Sequence, residues 1–236
     1  MTGRILAGLV AMACVGALAV APAGASAPPV ATYEVTIENL TTGQPYTPPI
    51  IATHRAAMDI FTVGQSASFE IKEIAENGNL GPMMTLLGSD KHVFDTEVAL
   101  GPLLFGGSVT LTVTGAKGAN FLSFASMLIC TNDGFTGIDS LRLPKEIGEE
   151  VVVTTNGYDA GTEDNTEKYA DIVPPCQSLH GILPVGPATG TSNPALAEEG
   201  GVIHHHDGIQ GGVADLTRRT HGWSDPVAEV TVERVS

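Results

Sequence analysis

The chain has 236 residues, 43% of them hydrophobic and only 16% charged, and 26 acids against 11 bases give it a formal charge of −15. A chain of that length and aliphatic content can bury a core without staples, which argues against wholesale disorder. So large an acidic excess argues against a long nucleic-acid groove, and against an anionic membrane surface unless a cation bridges the two.

In chain order, residues 1–25 read as a secretory signal. Arg4 supplies the basic n-region, Ile5 to Ala21 is an apolar run, and Ala23-Gly24-Ala25 provides the small-x-small cleavage pattern. Cleavage after Ala25 is expected, and it removes Arg4 but no acid. A membrane anchor is the rival reading, opposed by the shortness of the run and by Pro22, Pro28 and Pro29. Cys14 follows Ala11-Met12-Ala13 rather than a leucine-led lipobox, so no lipoprotein is expected. No later window is apolar enough to span a bilayer.

The remainder, 26–236, reads as one domain. Tyr33-Glu34-Val35-Thr36-Ile37-Glu38 alternates as a strand that Thr42-Gly43-Gln44-Pro45 ends. Helical spacing appears at Met58-Asp59-Ile60-Phe61 and within Ser66 to Asn77, so one or two short helices are expected there. Ser108 to Thr114 alternates again, and the turn Gly115 to Gly118 suggests a hairpin with the apolar stretch Phe121 to Cys130. Further strands are expected at Ser140 to Leu143, Glu150 to Thr155 and Ala228 to Val235, with Pro184 to Gly201 a long surface loop. No fixed-period repeat is present. Short strands with Gly/Pro turns make an all-β antiparallel β-sandwich the expected fold.

Beyond the signal, the cysteines are Cys130 and Cys176. In an oxidising compartment a lone pair points to one disulfide, closing a loop of about 45 residues and contributing on the order of 3–4 kcal/mol. Two buried free thiols are the alternative.

The acids concentrate in Asn132-Asp133-Gly134-Phe135-Thr136-Gly137-Ile138-Asp139 and Tyr158-Asp159-Ala160-Gly161-Thr162-Glu163-Asp164, both read as loops at strand ends. Carboxylates on Gly-containing loops suit Ca²⁺, which takes six to eight oxygens, although the spacing is not that of an EF-hand. If the loops meet, Asp139 and Asp159 face one ion, with Glu163 or Asp164 and a backbone carbonyl near Thr136 completing the shell. Otherwise these acids serve only Asx-turns in solvated loops.

Asp133-Gly134-Phe135-Thr136-Gly137-Ile138-Asp139-Ser140-Leu141 followed by Tyr158-Asp159-Ala160-Gly161-Thr162 resembles the spondin N-terminal domain, a module of matrix proteins that also occurs in free-standing secreted bacterial chains. The opening Tyr33 to Leu40 and the closing Trp223 to Val232 fit that pattern, so the resemblance spans Ala31 to Ser236. It implies a C2-like β-sandwich, a Ca²⁺ held by loop acids at one end, and adhesion or ligand binding rather than catalysis. Carried over, Asp139 and Asp159 are the firmest ligands and Glu163 stands where the family commonly has another acid. Gly134 departs from the animal pattern, which has a bulky aromatic there, and the segment from Pro184 to Asp207 is lengthened.

His204-His205-His206-Asp207, with His54 and His180 able to approach, forms a competing set, since imidazole is the usual ligand for Zn²⁺ or Cu²⁺. Three consecutive histidines do not point one way from a strand, and no His-x-x-x-His pair is present. Neither a Gly-x-Ser-x-Gly elbow, a phosphate loop nor a Cys-x-x-Cys occurs. Paired carboxylates such as Asp139 and Asp159 could serve a glycosidase, but the chain is poor in the aromatics that line sugar sites. The expectation is an exported, secreted or periplasmic, non-catalytic Ca²⁺ module that engages an extracellular or cell-surface macromolecule. The alternative is a secreted metalloenzyme using the histidines.

Overall fold

A computed structural model describes residues 30–116, 118–183, 190–196, 200–212 and 214–236. The signal read over 1–25 lies outside the described residues, as do parts of the loop expected at 184–201. The first half contains β1 (Ala31–Asn39), β2 (Ile50–His54), α1 (Phe69–Asn77), α2 (Gly81–Ser89), β3 (Val93–Val98), β4 (Ser108–Gly115) and β5 (Phe121–Met127). The second contains β6 (Gly134–Arg142), β7 (Glu150–Thr155), β8 (Gly157–Asp159), α3 (Pro175–His180), β9 (His204–His205), α4 (Arg218–His221) and β10 (Ala228–Arg234). The strands form two antiparallel sheets, β4-β1-β10-β7 and β3-β2-β5-β6-β8-β9.

The alternation in β1 decides its place. Val35 and Ile37 are fully buried with Tyr33 beside them, while Glu34 and Glu38 on the other face are exposed. That apolar face meets Val230 and Val232 of β10, Val113 of β4, and Ile51, Leu122 and Phe124 of the six-stranded sheet, forming the core between the sheets. A second core lies on the opposite face of the six-stranded sheet. There Ile50, Ala52, Ala125 and Met127 pack against Ile71, Ile74 and Ala75 of α1 and Met83 and Leu87 of α2. The protein is therefore a three-layered all-β sandwich, its larger sheet covered on both faces.

Double coverage explains where periodicity misled. Both faces of β2 and of β5 from Leu122 onward are buried, so neither shows the two-residue alternation of β1. β4 and β5 are not the expected hairpin: β4 pairs with β1, and β5 lies between β2 and β6 in the other sheet. A turn signal marks where the chain reverses, not which sheet the next strand joins. Gly134 to Asp139, expected to be loop, is the first part of β6. Gly137 pairs with Ala125 so closely that an added Cβ would lie 2.4 Å from the Phe124 carbonyl oxygen, which is why a glycine stands within this strand.

Met58 to Phe61 is irregular chain after a turn, not a helix, and its apolar residues belong to the second core. α1 forms as expected, capped by Ser68 Oγ accepting from Ile71 N and ended by Gly78 in the left-handed region. The described residues contain four short helices rather than one or two. Cys130 and Cys176 are bonded, tying the turn after β5 to α3. No helix among the described residues is long and apolar enough to cross a membrane.

Candidate metal centre

Two segments meet beyond the end of β6 and β8. The turn Cys130–Asp133 leads into β6, and the chain leaving β8 at Asp159 folds back over it. Ladder pairing sets Gly134 opposite Asp159, and Ala160 N donates to the Asp133 carbonyl at 3.1 Å. Asp133 Oδ2 then accepts from Thr162 N at 2.7 Å and Glu163 N at 3.0 Å, so its carboxylate pins the loop that carries Glu163. Asp159 Oδ1 accepts from Gly161 N at 2.7 Å and Oδ2 from Asn165 Nδ2 at 2.6 Å.

These hydrogen bonds leave oxygens over. Asp133 is fully buried, yet Oδ1 has no hydrogen-bond partner, and Glu163, 5% exposed, has Oε1 3.1 Å from the Ser192 hydroxyl and Oε2 with no partner. Glu76 of α1 is the third such acid: its buried Oε1 has no hydrogen-bond partner and meets Lys72 Nζ at 3.6 Å. Glu76 and Glu163 line one cavity of about 310 Å³.

The acids repel one another. Burial, then the neighbouring Asp159 charge, pushes the Asp133 carboxyl up to about 7 against the pull of the Thr162 and Glu163 amides. Burial, then Glu76 and Asp133, pushes Glu163 up to about 8 despite the Ser192 hydrogen bond. Burial raises Glu76 too, partly offset by Thr162 and Lys72. Without a counter-charge this group holds protons where ordinary carboxyls have lost them; a bound cation removes the conflict. The donors are all oxygens, and three of them, Asp133 Oδ1, Glu163 Oε2 and Glu76 Oε1, are buried with no hydrogen-bond partner. Oxygens of this kind suit a hard divalent ion such as Ca²⁺, although among the described residues no three of these acids bring ligand oxygens within 4.8 Å of one another, and both oxygens of Asp159 already accept hydrogen bonds.

Of the expected ligands, Asp133, Asp159 and Glu163 come together. Asp139 stands apart, roughly 16 Å beyond Gly134 at about 3.3 Å per strand residue. Its Oδ1 accepts from Ile60 N at 3.1 Å and lies 3.3 Å from the Ser123 hydroxyl. Thr136 is buried within the ladder, its hydroxyl 2.7 Å from Thr155 Oγ1. Asp164 faces solvent. Glu76 is not among the expected ligands, because a Lys72–Glu76 pair at i,i+4 looks in sequence like an ordinary solvated helix face.

Of the histidines, His204 and His206 line one cavity of about 350 Å³ with Asp159, whereas His54 and His205 stand elsewhere. His204 Nδ1 donates to Val202 O at 2.9 Å and stands 3.9 Å from Asp159 Oδ1, whereas His205 pairs with Asp225. His206 turns inward, with Nδ1 accepting from Gly208 N at 2.9 Å and its ring edge-on to Trp223. His54 is buried in β2 with Nε2 2.8 Å from Ser123 Oγ. Four strand spacings, roughly 19 Å, separate β2 from β9.

The Spondin_N family model matches residues 38–178, a stretch that contains all four clustered acids and both cysteines but not His204 to His206. No curated protein matches the chain. Family and disulfide together agree with an extracellular or secreted location and a module-type role. On that match, which covers more than half of its length, the chain belongs to the spondin N-terminal domain family.

Proposed function

We propose that the chain is an exported, non-catalytic Ca²⁺-binding module whose ion fastens the Asp159–Glu167 loop to the turn before β6 and to α1, presenting that end of the sandwich to an extracellular or cell-surface macromolecule. The observation that carries this reading is the pair of buried carboxylate oxygens without hydrogen-bond partners, Asp133 Oδ1 and Glu163 Oε2, in a cluster of mutually repelling acids. The chain's residues do the positioning. Asp133 holds the Thr162 and Glu163 amides, Asp159 caps its own turn through Gly161 N, and Ser192 orients Glu163 from outside. The ion supplies the positive charge that lets these carboxylates ionise side by side.

The test is thermal melting of protein purified without an affinity tag, in chelator and then with Ca²⁺, Mg²⁺ or Zn²⁺ restored. Ca²⁺ at a hundredfold excess over Kd should add about 2.7 kcal/mol of stability. Glu163→Gln and Asp133→Asn should each remove that gain while His205→Ala leaves it. A melt indifferent to Ca²⁺ rejects the proposal, and a response to Zn²⁺ alone moves the site to the histidines.

A further inference from the structure

A second constellation lies at the disulfide. Cys130, Cys176 and His221 are all buried, and both sulfurs and a ring nitrogen of His221 lie within 4.8 Å of one another. Two thiolates and an imidazole are the donor set of a Zn²⁺ ion. While the sulfurs are bonded to each other they hold no metal, so the set works only in the thiol form.

The three residues are held in place by contacts that do not use the sulfur–sulfur bond. Gln44 is fully buried, and its amide ties two of them together. Nε2 donates to the Cys130 carbonyl at 3.1 Å and to the His221 carbonyl at 2.6 Å, while Oε1 accepts from Cys130 N at 3.0 Å. α3, which carries Cys176, is fastened independently: His180 Nε2 donates to Gly43 O at 3.1 Å, and Ile172 and Val173 are buried just before the helix. Opening the disulfide therefore leaves Cys130, Cys176 and His221 facing one another. Sulfurs about 2.3 Å from a tetrahedral zinc stand about 3.8 Å apart, within reach of side-chain rotation alone.

His221 is also prepared for the role. Nδ1 accepts from Thr217 N at 3.1 Å, so the neutral ring carries its lone pair there and its proton on Nε2, 3.3 Å from the Tyr169 hydroxyl. The Thr217 N–H on one ring nitrogen and the Tyr169 hydroxyl on the other fix the orientation of the ring beside the sulfurs.

We propose that Cys130, Cys176 and His221 form a redox-gated Zn²⁺ site: the dithiol form binds the ion and the disulfide form excludes it. A phosphine reductant delivers two electrons to the disulfide, taking its oxygen from water to become the phosphine oxide, while the water's two protons go to the sulfurs. Zn²⁺ then displaces both thiol protons. Reoxidation by a disulfide of a small thiol reforms the sulfur–sulfur bond, gives two equivalents of that thiol and releases the ion. This site is separate from the acid cluster, and its thiolates distinguish the two in any experiment.

The experiment uses the full protein in saturating Ca²⁺, reduced anaerobically with phosphine, and titrated with Co²⁺ followed by Zn²⁺. One Co²⁺ should bind per chain with a thiolate-to-cobalt charge-transfer band, Zn²⁺ should abolish the band, and the oxidised protein should show none. His221→Ala should weaken binding at least about tenfold, and the Cys130→Ser, Cys176→Ser double variant should lose the band. Should His221→Ala not fold, zinc-edge X-ray absorption on the reduced wild type decides: two sulfur and at least one imidazole neighbour support the site, and a shell without imidazole overturns it. A reduced, folded protein with two titratable thiols and no Co²⁺ band also overturns it, as does a reduced protein that unfolds even with Zn²⁺ present.

Discussion

The main-chain N–H of Glu163 donates to Asp133 Oδ2 at 3.0 Å, so two acids whose charges repel are joined through the backbone of one and the side chain of the other. The carboxylate of Asp133 thus has two separable duties. Oδ2 organises the loop, and Oδ1 contributes negative charge with nothing yet paired to it.

Different substitutions at Asp133 should separate these duties. Asp133→Asn keeps an acceptor for the Thr162 and Glu163 amides and removes the charge, so in chelator its stability should match or exceed that of the wild type while its Ca²⁺ response is lost. Asp133→Ala orphans two amides and should cost about 2 kcal/mol or more even in chelator. Urea denaturation of both variants, with and without Ca²⁺, checks this; equal losses in chelator would mean that Asp133 acts through its charge alone.

The cluster also sets a pH dependence with a definite sign. In the metal-free protein Asp133 and Glu163 titrate near 7 and 8, whereas unfolded carboxyls titrate near 4. The folded state then binds more protons than the unfolded one, so their contribution is complete below about pH 4 and is lost as pH rises through 7 and 8. His221 works in the opposite direction. Burial, then the neighbouring His180, lowers it to about 4, so its contribution is lost as pH falls from about 6.5 towards 4. His180 and His206, also lowered by burial, act in the same direction as His221, so the carboxylates dominate only above the range in which unfolded histidines titrate: between about pH 7.5 and 8.5 stability in chelator should fall, with saturating Ca²⁺ flattening the slope. A metal-free stability that rises with pH there contradicts the assignment.

Gly134 follows Asp133 directly, and a Cβ there would lie 2.5 Å from Thr131 Oγ1 and 2.9 Å from Thr131 Cβ. The same hydroxyl accepts from Gly134 N at 2.8 Å and donates to Leu128 O at 2.6 Å, so it cannot give way freely. Gly134→Ala should cost about 1–3 kcal/mol, and Thr131→Ala in the same chain should restore part of that loss, a coupling that a double-mutant cycle reads directly. Additive losses would show that the two residues do not compete for the space.

Gln44 offers a test of how the loops around Cys130 and His221 are held. Gln44→Leu leaves the Cys130 N–H and two carbonyls unpaired in the interior, and should cost about 3 kcal/mol or more although the disulfide remains. A loss below about 1 kcal/mol would show that the disulfide alone holds these segments.

Legibility in the sequence followed burial. β1, β4, β7 and β10 were readable because each puts one face on the core and one in water, as Val35 and Glu34 do in β1. β2 was not, since Ile50 to His54 is buried throughout and leaves no alternation to count. At the candidate site, the Gly-containing context of Asp133, Asp159 and Glu163 marked them as candidates, and the fold places them near one another. Asp139 looked equivalent to them until β6 proved to be a strand that carries it away from the turn. Glu76 reaches the cluster from a helix more than fifty residues upstream, a juxtaposition that only the packing of α1 on the larger sheet creates.

The pairing of β1 with β10 sets Tyr33 opposite Arg234, and β10 also supplies the partner of β7. Until the ribosome has made nearly all of the residues between them, β1 has only β4 beside it and β7 has no neighbour in its sheet. The smaller sheet is therefore assembled late, by closure of a very long loop, and folding is expected to be slow relative to a helical protein of the same size. A chain stalled before β10 exposes two unpaired strand edges together with the apolar face that Val230 and Val232 would have covered, the surface that a chaperone must shield and that aggregation exploits.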